Sequence, residues 1–328
     1  KVFPVFASKT VLATGGLGQI YVHTSNPEES TGDGIALGWR AGARCFNLQY
    51  IQFHPTTLYN ERDRFLISES MRGEGGILKD KNGNEFMHQY HELGSLAPRD
   101  IVARSIQHTM LKTGHPCVYL DISFKEADWI RHRFPTIYQH CFSAGIDITK
   151  EPIPVVPAAH YSCGGVGVNL HGRTSLRRLY AVGELACTGV HGANRLASTS
   201  LLESVVWAWT AAQDMKELTD DDFYFPEIFP WEDETQSVDP ALIAQDWLTI
   251  KNTMWNYVGL MRTRSRLIRA RITLRHLQSE VEQFYLKARM SKPMIELRNG
   301  VQTAIAVTYA TLEDRVSRGA HFLMDEEQ

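Results

Sequence analysis

The chain has 328 residues, 43% hydrophobic and 22% charged, enough apolar material for two or three globular domains with large cores. A formal net charge of −3 gives no global attraction for nucleic acid or an anionic membrane, so neither is expected as a partner. No apolar run reaches the roughly 18 residues that a transmembrane helix needs. The five cysteines, Cys45, Cys117, Cys141, Cys163 and Cys187, are widely spaced and form no C-x-x-C pair. That argues against zinc and iron–sulfur chemistry and fits free thiols in a reducing cytosol. His88 and His91 stand three apart with no further ligand set, so no metal is expected.

The chain begins Lys1-Val2-Phe3, without an initiator Met, and soon enters the apolar run from Thr10 to Gly16. This predicts a strand ending in a glycine turn. Gly15-Gly16-Leu17-Gly18 does not match the G-x-G-x-x-G of a dinucleotide-binding turn, which also has an acidic residue about 20 positions on. The chain is therefore read as the latter part of a larger protein. A helix rich in small residues is predicted over 31–43, where ligand or backbone can approach closely. Residues 46 to 160 mix strands, turns and helices. Asn82-Gly83 signals a hairpin, and Pro98-Arg99-Asp100 opens a helix with Ile101, Val102, Ile106 and Met110 on its apolar side.

From 161 the pattern returns to α/β. Leu179 to Gly183 reads as a short buried strand followed by Glu184, then a glycine-bearing loop that delivers Arg195. Ser200 and Glu203 read as a capping box opening a helix. Leu201, Leu202, Val205, Val206, Trp209 and Ala212 give that helix an apolar face. Its N-terminus is an electropositive spot suited to an anionic group. Residues 217–240 are acidic and proline-punctuated, a linker candidate, and the remainder reads as mostly helical. The arginine run Arg262, Arg264, Arg266, Arg269, Arg271, Arg275 is spread around its helix, which favours a solvated face over an RNA site.

Several short segments carry more polar function than a core needs: Gln52 to Thr56, Ser68 to Gly76, Ala97 to Asp100, and His160 to Gly165, with Arg195 beside them. Singly, each has a plain alternative. His54 reads as a hydrogen-bonded core histidine, Arg99 with Asp100 as a surface pair, and the double glycines as turns.

In order and spacing these segments resemble the flavoprotein family that contains L-aspartate oxidases and the flavoprotein subunits of succinate dehydrogenase and fumarate reductase. The resemblance covers nearly the whole chain. It rests on Ala13-Thr14-Gly15-Gly16, Thr31 to Gly34, Gln52 to Thr56, Arg72 to Gly76, His160-Tyr161 with Gly164-Gly165, Gly183-Glu184, and Gly192 to Glu203. Pro98 before Arg99-Asp100, and Cys163 before Gly164-Gly165, favour the oxidase branch over the succinate and fumarate enzymes. Thr199 departs from the asparagine usual at that position.

The resemblance implies an α/β FAD-binding domain, here partial, from residues 1–46 and 162–230. It implies an inserted α+β capping domain over 47–161 and a C-terminal helical domain over 231–328. It implies FAD as cofactor, held by Ala13, Thr14, Gly15, Gly16, Asp33, Glu184, Ser200 and Leu201, with other FAD contacts upstream of this chain. It implies L-aspartate or a related dicarboxylate (fumarate, succinate) as ligand, bound by Gln52, His54, Ser68, Glu69, His160 and Arg195. Arg99 matches the family's proton-shuttling arginine. Arginine is a poor base in water, so that role needs burial and an anionic partner, and electrostatic positioning is the alternative. The implied reaction converts L-aspartate to iminoaspartate, with electrons passing to oxygen or fumarate. It feeds quinolinate and NAD synthesis in the cytoplasm, with quinolinate synthase as an implied partner. The alternatives are a succinate or fumarate oxidoreductase subunit, or a non-catalytic remnant. The retention of His54, Glu69, Arg99, His160 and Arg195 together speaks against the last.

Overall fold

A computed structural model describes residues 2–60, 64–218, 224–229, 237 and 239–324. In chain order the main elements are β1 (Thr10–Leu12), α1 (Asp33–Ala41), β2 (Cys45–Phe46), β3 (Ile51–Leu58), α2 (Glu69–Gly73), β4 (Ile77–Lys79), α3 (Arg99–Thr113), β5 (Val118–Asp121), α4 (Ala127–Arg133) and α5 (Pro135–Ser143). There follow β6 (Ile153–Ser162), β7 (Gly165–Gly167), β8 (Leu179–Ala181), β9 (Ala186–Cys187), α6 (Thr199–Glu217), α7 (Pro240–Tyr257), α8 (Arg264–Lys287) and α9 (Lys292–Glu313). They fall into two compact units. One comprises Lys1–Val22, Asn26–Gln52 and Tyr161–Gln328, the other His23–Ser25 and Phe53–His160.

In the first unit β1 pairs in parallel with β8, Thr10 opposite Leu179 and Leu12 opposite Ala181. Gly15, at φ +76°, turns the chain out of β1, a conformation open to glycine. The predicted helix is α1. It begins after a left-handed Gly32 and stops at a left-handed Gly42 whose N–H caps the last turn. Its glycines allow close packing: a Cβ on Gly34 would strike Leu185, and one on Gly38 would strike Val166. β2, β7 and β9 form a small sheet beside it.

The helices α7, α8 and α9 pack on one another, and α9 also packs on α1. On α8 the buried residues Leu267, Ala270, Leu274, Leu277 and Val281 recur three and four apart, which makes one continuous apolar stripe. Asp239 and Thr263 cap α7 and α8, accepting from Ala241 N at 2.9 Å and Arg266 N at 3.3 Å. The arginine run is divided. Arg264, Arg269, Arg271 and Arg275 are exposed as expected of a solvated face, but Arg262 is fully buried. Helix ends at Glu313, and the chain continues as a non-helical turn in which Arg318 bridges His321 and Leu323 bridges Arg262.

Two readings of α6 need correction. The N-cap is Ser198, at φ +65° and without a side-chain cap bond, so Ser200 and Glu203 form no capping box. The Glu203 carboxylate is drawn instead to donors in the preceding loop. The apolar face is also not a buried one: Leu201, Leu202, Val205, Val206 and Trp209 are all exposed, while Glu203, Ala211 and Asp214 are buried. The acidic stretch Asp220 to Asp222 and Glu232 to Glu234, with the expected domain limit at 230/231, lies outside the described residues.

The second unit is α+β. Its sheet runs β3-β6-β5-β4, with β5 antiparallel to both β4 and β6. The Asn82-Gly83 signal is a tight turn: Gly83 takes φ +83°, and Lys79 bridges Glu85 across it. Ile106, Val118, Leu120, Ile153 and Val155 form its core with Met71 and Leu78. Residues 23–25 join this unit through a parallel bridge from Thr24 to Ala159.

Candidate functional site

In the first unit the site is built around Arg195. The Gly189–Arg195 loop carries left-handed glycines at 189 and 192, which let it fold back toward the end of β6. Gln52, at the start of β3, locks the loop from both sides. Its Nε2 donates to Asn194 Oδ1 at 2.7 Å and to Arg195 O at 2.8 Å, and its Oε1 accepts from Arg195 Nη2 at 3.0 Å. The guanidinium lies 4.5 Å from the centre of the Tyr161 ring, a cation–π contact. Arg195 is 7% exposed, and its buried Nε has no hydrogen-bond partner. A buried cation with an unused donor fits an anion, and the planar fork of arginine fits a carboxylate.

Beneath this pair sits Glu203, 4% exposed. It accepts from Thr188 Oγ1 at 2.5 Å and Tyr161 OH at 3.0 Å, and its Oε2 lies 2.7 Å from His191 Nε2. The carboxylate thereby ties β6, the strand-end loop and α6 together at the point where Arg195 rests on Tyr161. Glu184, nearby, is half-buried. It accepts from Ser162 N at 2.9 Å, yet burial pushes its carboxyl up to about 7, against the opposing pull of that N–H and of Arg195. Gly16 lies directly against the Glu184 carboxylate, with no room for a Cβ. Burial also pushes the Cys163 thiol up to about 12, so it stays protonated.

In the second unit His54 and His160 stand together, their ring centres 5.6 Å apart. His54 is 3% exposed, with Nδ1 committed to the backbone of Thr56. Burial, followed by the charges of His160, Arg99 and Arg72, holds His54 well below the ordinary histidine range, so it is neutral. His160 Nδ1 is 2.8 Å from Ser25 Oγ. Arg99, first residue of α3, pairs with Glu69, first residue of α2. Ser68 is the N-cap of α2, accepting from Ser70 N, which sets the start of the helix that presents Glu69. Glu69 also lies 3.8 Å from the fully buried Arg72, whose Nη1 donates to Ser95 O at 2.9 Å while Nε and Nη2 have no hydrogen-bond partner.

The expected residues are thus grouped as Gln52 with Arg195, His54 with His160, and Ser68 with Glu69 and Arg99. Asp33 stands apart from these groups, its Oδ1 accepting from Asn299 Nδ2 at 2.7 Å. Sequence reasoning passed over Arg72, Tyr161, His191 and Glu203 as site residues. Arg72 opens the Arg72 to Gly76 segment, but nothing in spacing marks an arginine as buried. Glu203 was visible only as a capping residue.

The first unit also has features that suit a flavin cofactor. A cavity of about 610 Å³ is lined by residues of the 189–196 loop together with Thr199, Leu202, Glu203, Val206 and Trp207. Ala13 and Thr14 are exposed at the end of β1, Thr14 Oγ1 accepting from Gly34 N at 3.1 Å. The first turn of α6, with Ser200 and Leu201, is a helix N-terminus that stabilises negative charge placed against it.

Comparison with known proteins supports this assignment. The family model described as FAD binding domain matches residues 1–201, and that described as fumarate reductase flavoprotein C-term matches residues 248–328. The L-aspartate oxidase of Pseudomonas aeruginosa is 49% identical over 96% of this chain and 59% of its own length, and that of Vibrio cholerae 48% identical over 97% and 60%. The chain therefore spans about 60% of the length of these relatives. Among solved structures, a quinol fumarate reductase of E. coli superposes with a TM-score of 0.81 at 28% identity, over 97% of this chain and 60% of the other. An adenylylsulfate reductase of Archaeoglobus fulgidus, at 17% identity, 96% and 61% coverage and a TM-score of 0.67, shares the fold. With the FAD-binding model matching well over half of its residues, the chain belongs to the FAD-binding domain family.

Proposed function

We propose that the protein is an FAD-dependent L-aspartate oxidase, forming iminoaspartate for quinolinate and NAD synthesis. The observation that carries this is Arg195: a buried guanidinium, fixed by Gln52 and Tyr161, with an unpartnered Nε. The names of the relatives at 48–49% identity supply the substrate. Bound FAD would supply the hydride-accepting chemistry at Cα, with oxygen or fumarate as the final electron acceptor. Ala13, Thr14, Gly15, Gly16, Asp33, Glu184, Ser200 and Leu201 are the proposed FAD contacts in this chain. Arg195, His54 and His160 are the proposed carboxylate-binding residues, with Gln52, Ser68 and Glu69 as further substrate contacts. Arg99, paired with Glu69, is the proposed proton carrier for the substrate amino nitrogen. The unit of residues 53–160 is the proposed capping domain. The boundaries 1–46, 47–161, 162–230 and 231–328 are proposed limits of FAD-binding, capping and C-terminal regions. No helix among the described residues is long and apolar enough to cross a membrane, and a cytoplasmic location with coupling to quinolinate synthase is proposed.

A second reading, a succinate or fumarate oxidoreductase subunit, is favoured by the superposition on quinol fumarate reductase. Two variants test the assigned roles in the flavin-loaded protein. Arg195→Leu removes a charge-assisted contact worth about 1.5–3 kcal/mol, raising KM for L-aspartate about 10- to 150-fold. Arg99→Leu lowers kcat by about 10²–10⁴. A variant of Arg99 that changed KM alone would remove it from proton transfer, leaving an electrostatic role.

A further inference from the structure

The turn after α9 is bound to the segments that carry both members of the Gln52–Arg195 pair. On the Arg195 side, Ala320 N–H donates to Ala193 O at 2.9 Å. Gly319, at φ +52°, approaches so closely that a Cβ there would stand 2.5 Å from Ala193 O and 2.8 Å from Ala193 Cβ. Ala193 and Ala320 pack together against Tyr50, Tyr161 and Cys163, and Tyr161 is the ring under Arg195. On the Gln52 side, the Asp314 carboxylate accepts from Gln49 Nε2 at 3.0 Å and Tyr50 OH at 3.2 Å. The buried Arg262 donates to Gln49 O at 2.9 Å, and its Nη1 lies 2.6 Å from His321 Nδ1. Arg318 closes the turn, its N–H donating to His321 O at 2.8 Å and its side chain to Asp314 at 3.2 Å.

We infer that Asp314, Gly319 and Ala320 are positioning residues for carboxylate binding, setting Arg195 through Ala193 and Gln52 through Gln49 and Tyr50. The inference rests on Arg195 being the carboxylate-binding residue. Its physical basis is the small number of bonds that place the guanidinium. Gln52 and the Leu196 carbonyl are its hydrogen-bond partners, so the position of the 193–196 backbone decides where the unpartnered Nε points. Misplacement by about 1 Å is enough to cost a large factor in an oriented site.

The test uses the flavin-loaded protein, with malonate as an unreactive dicarboxylate read through the flavin spectrum and with L-aspartate in steady-state assays. Gly319→Ala is expected to raise the malonate Kd and the L-aspartate KM by about 10-fold, with kcat within about 2-fold and flavin content unchanged, because the contact serves binding in ground and transition states alike. Asp314→Asn, which leaves the backbone turn sterically intact, is expected to raise both by about 3-fold and decides the matter should Gly319→Ala fail to fold. Unchanged Kd and KM in the folded variants overturn the inference. So does a fall in kcat or flavin content at unchanged KM, which would mark a purely structural segment. Arg195→Lys run in parallel separates the two readings. If it leaves the malonate Kd unaltered, Arg195 is not the carboxylate binder. If it weakens malonate while Gly319→Ala does not, only the positioning role fails.

Discussion

Glu184, half-buried, and Glu203, buried, are carboxylates with different surroundings. Glu203 has two hydroxyl donors and a histidine around it, so its carboxyl group serves as a structural anchor. Glu184 accepts from the Ser162 N–H but sits where burial dominates, and its carboxyl is pushed from 4.5 up to about 7. An acid with a raised folded-state pKa holds its proton after the unfolded chain has lost it. Stability at Glu184 is therefore lost as pH rises from about 4.5 to about 7, by roughly 3 kcal/mol, and is level above that. Glu184→Gln should flatten this part of the stability curve. Denaturant titrations of both proteins at pH 5 and pH 7.5 would show the wild type losing more than the variant, and equal losses would refute the assignment. Glu184 was legible in the sequence as a chemistry-bearing position, Glu203 only as a capping residue. Burial was not, because it depends on what the loop at 188–195 brings over them. The same holds for Arg72 and Arg262, fully buried arginines that charge counting places on a surface.

At the scale of elements, periodicity located the helices well but said nothing of what lies against each face. α8 and α6 carry comparable apolar patterns. The stripe of α8 is buried against neighbouring helices, while Leu201, Val205 and Trp209 on α6 are exposed. The difference should appear in stability. In this chain Leu274→Ala leaves a cavity and costs about 2–5 kcal/mol, whereas Val205→Ala costs less than about 0.5 kcal/mol. Chemical denaturation of the two variants checks this, and equal costs would contradict the packing described. Local turn chemistry was the most legible feature: Gly15 and Gly83 take the left-handed conformation of the turns expected there, while Gly42, expected inside the helix over 31–43, instead ends it. The capping box failed because a left-handed Ser198 already starts α6, which frees Glu203 for stronger donors in the loop.

For the whole molecule, composition limited the fold to a globular protein, but the decisive signal was the order of several short polar segments. That order named the residues but not their grouping, Gln52 with Arg195, His54 with His160, Glu69 with Arg99, which only the fold reveals. It did not foretell the C-terminal turn. Residues 314–321 carry no periodic pattern, and their bonds to residues 49, 50 and 193 join positions far apart in sequence. The central claim, oxidation of L-aspartate at a dicarboxylate site, is tested most directly by mixing the FAD-loaded protein anaerobically with L-aspartate or succinate and following the flavin absorbance. The account predicts bleaching by L-aspartate and none by succinate; bleaching by succinate alone would contradict it.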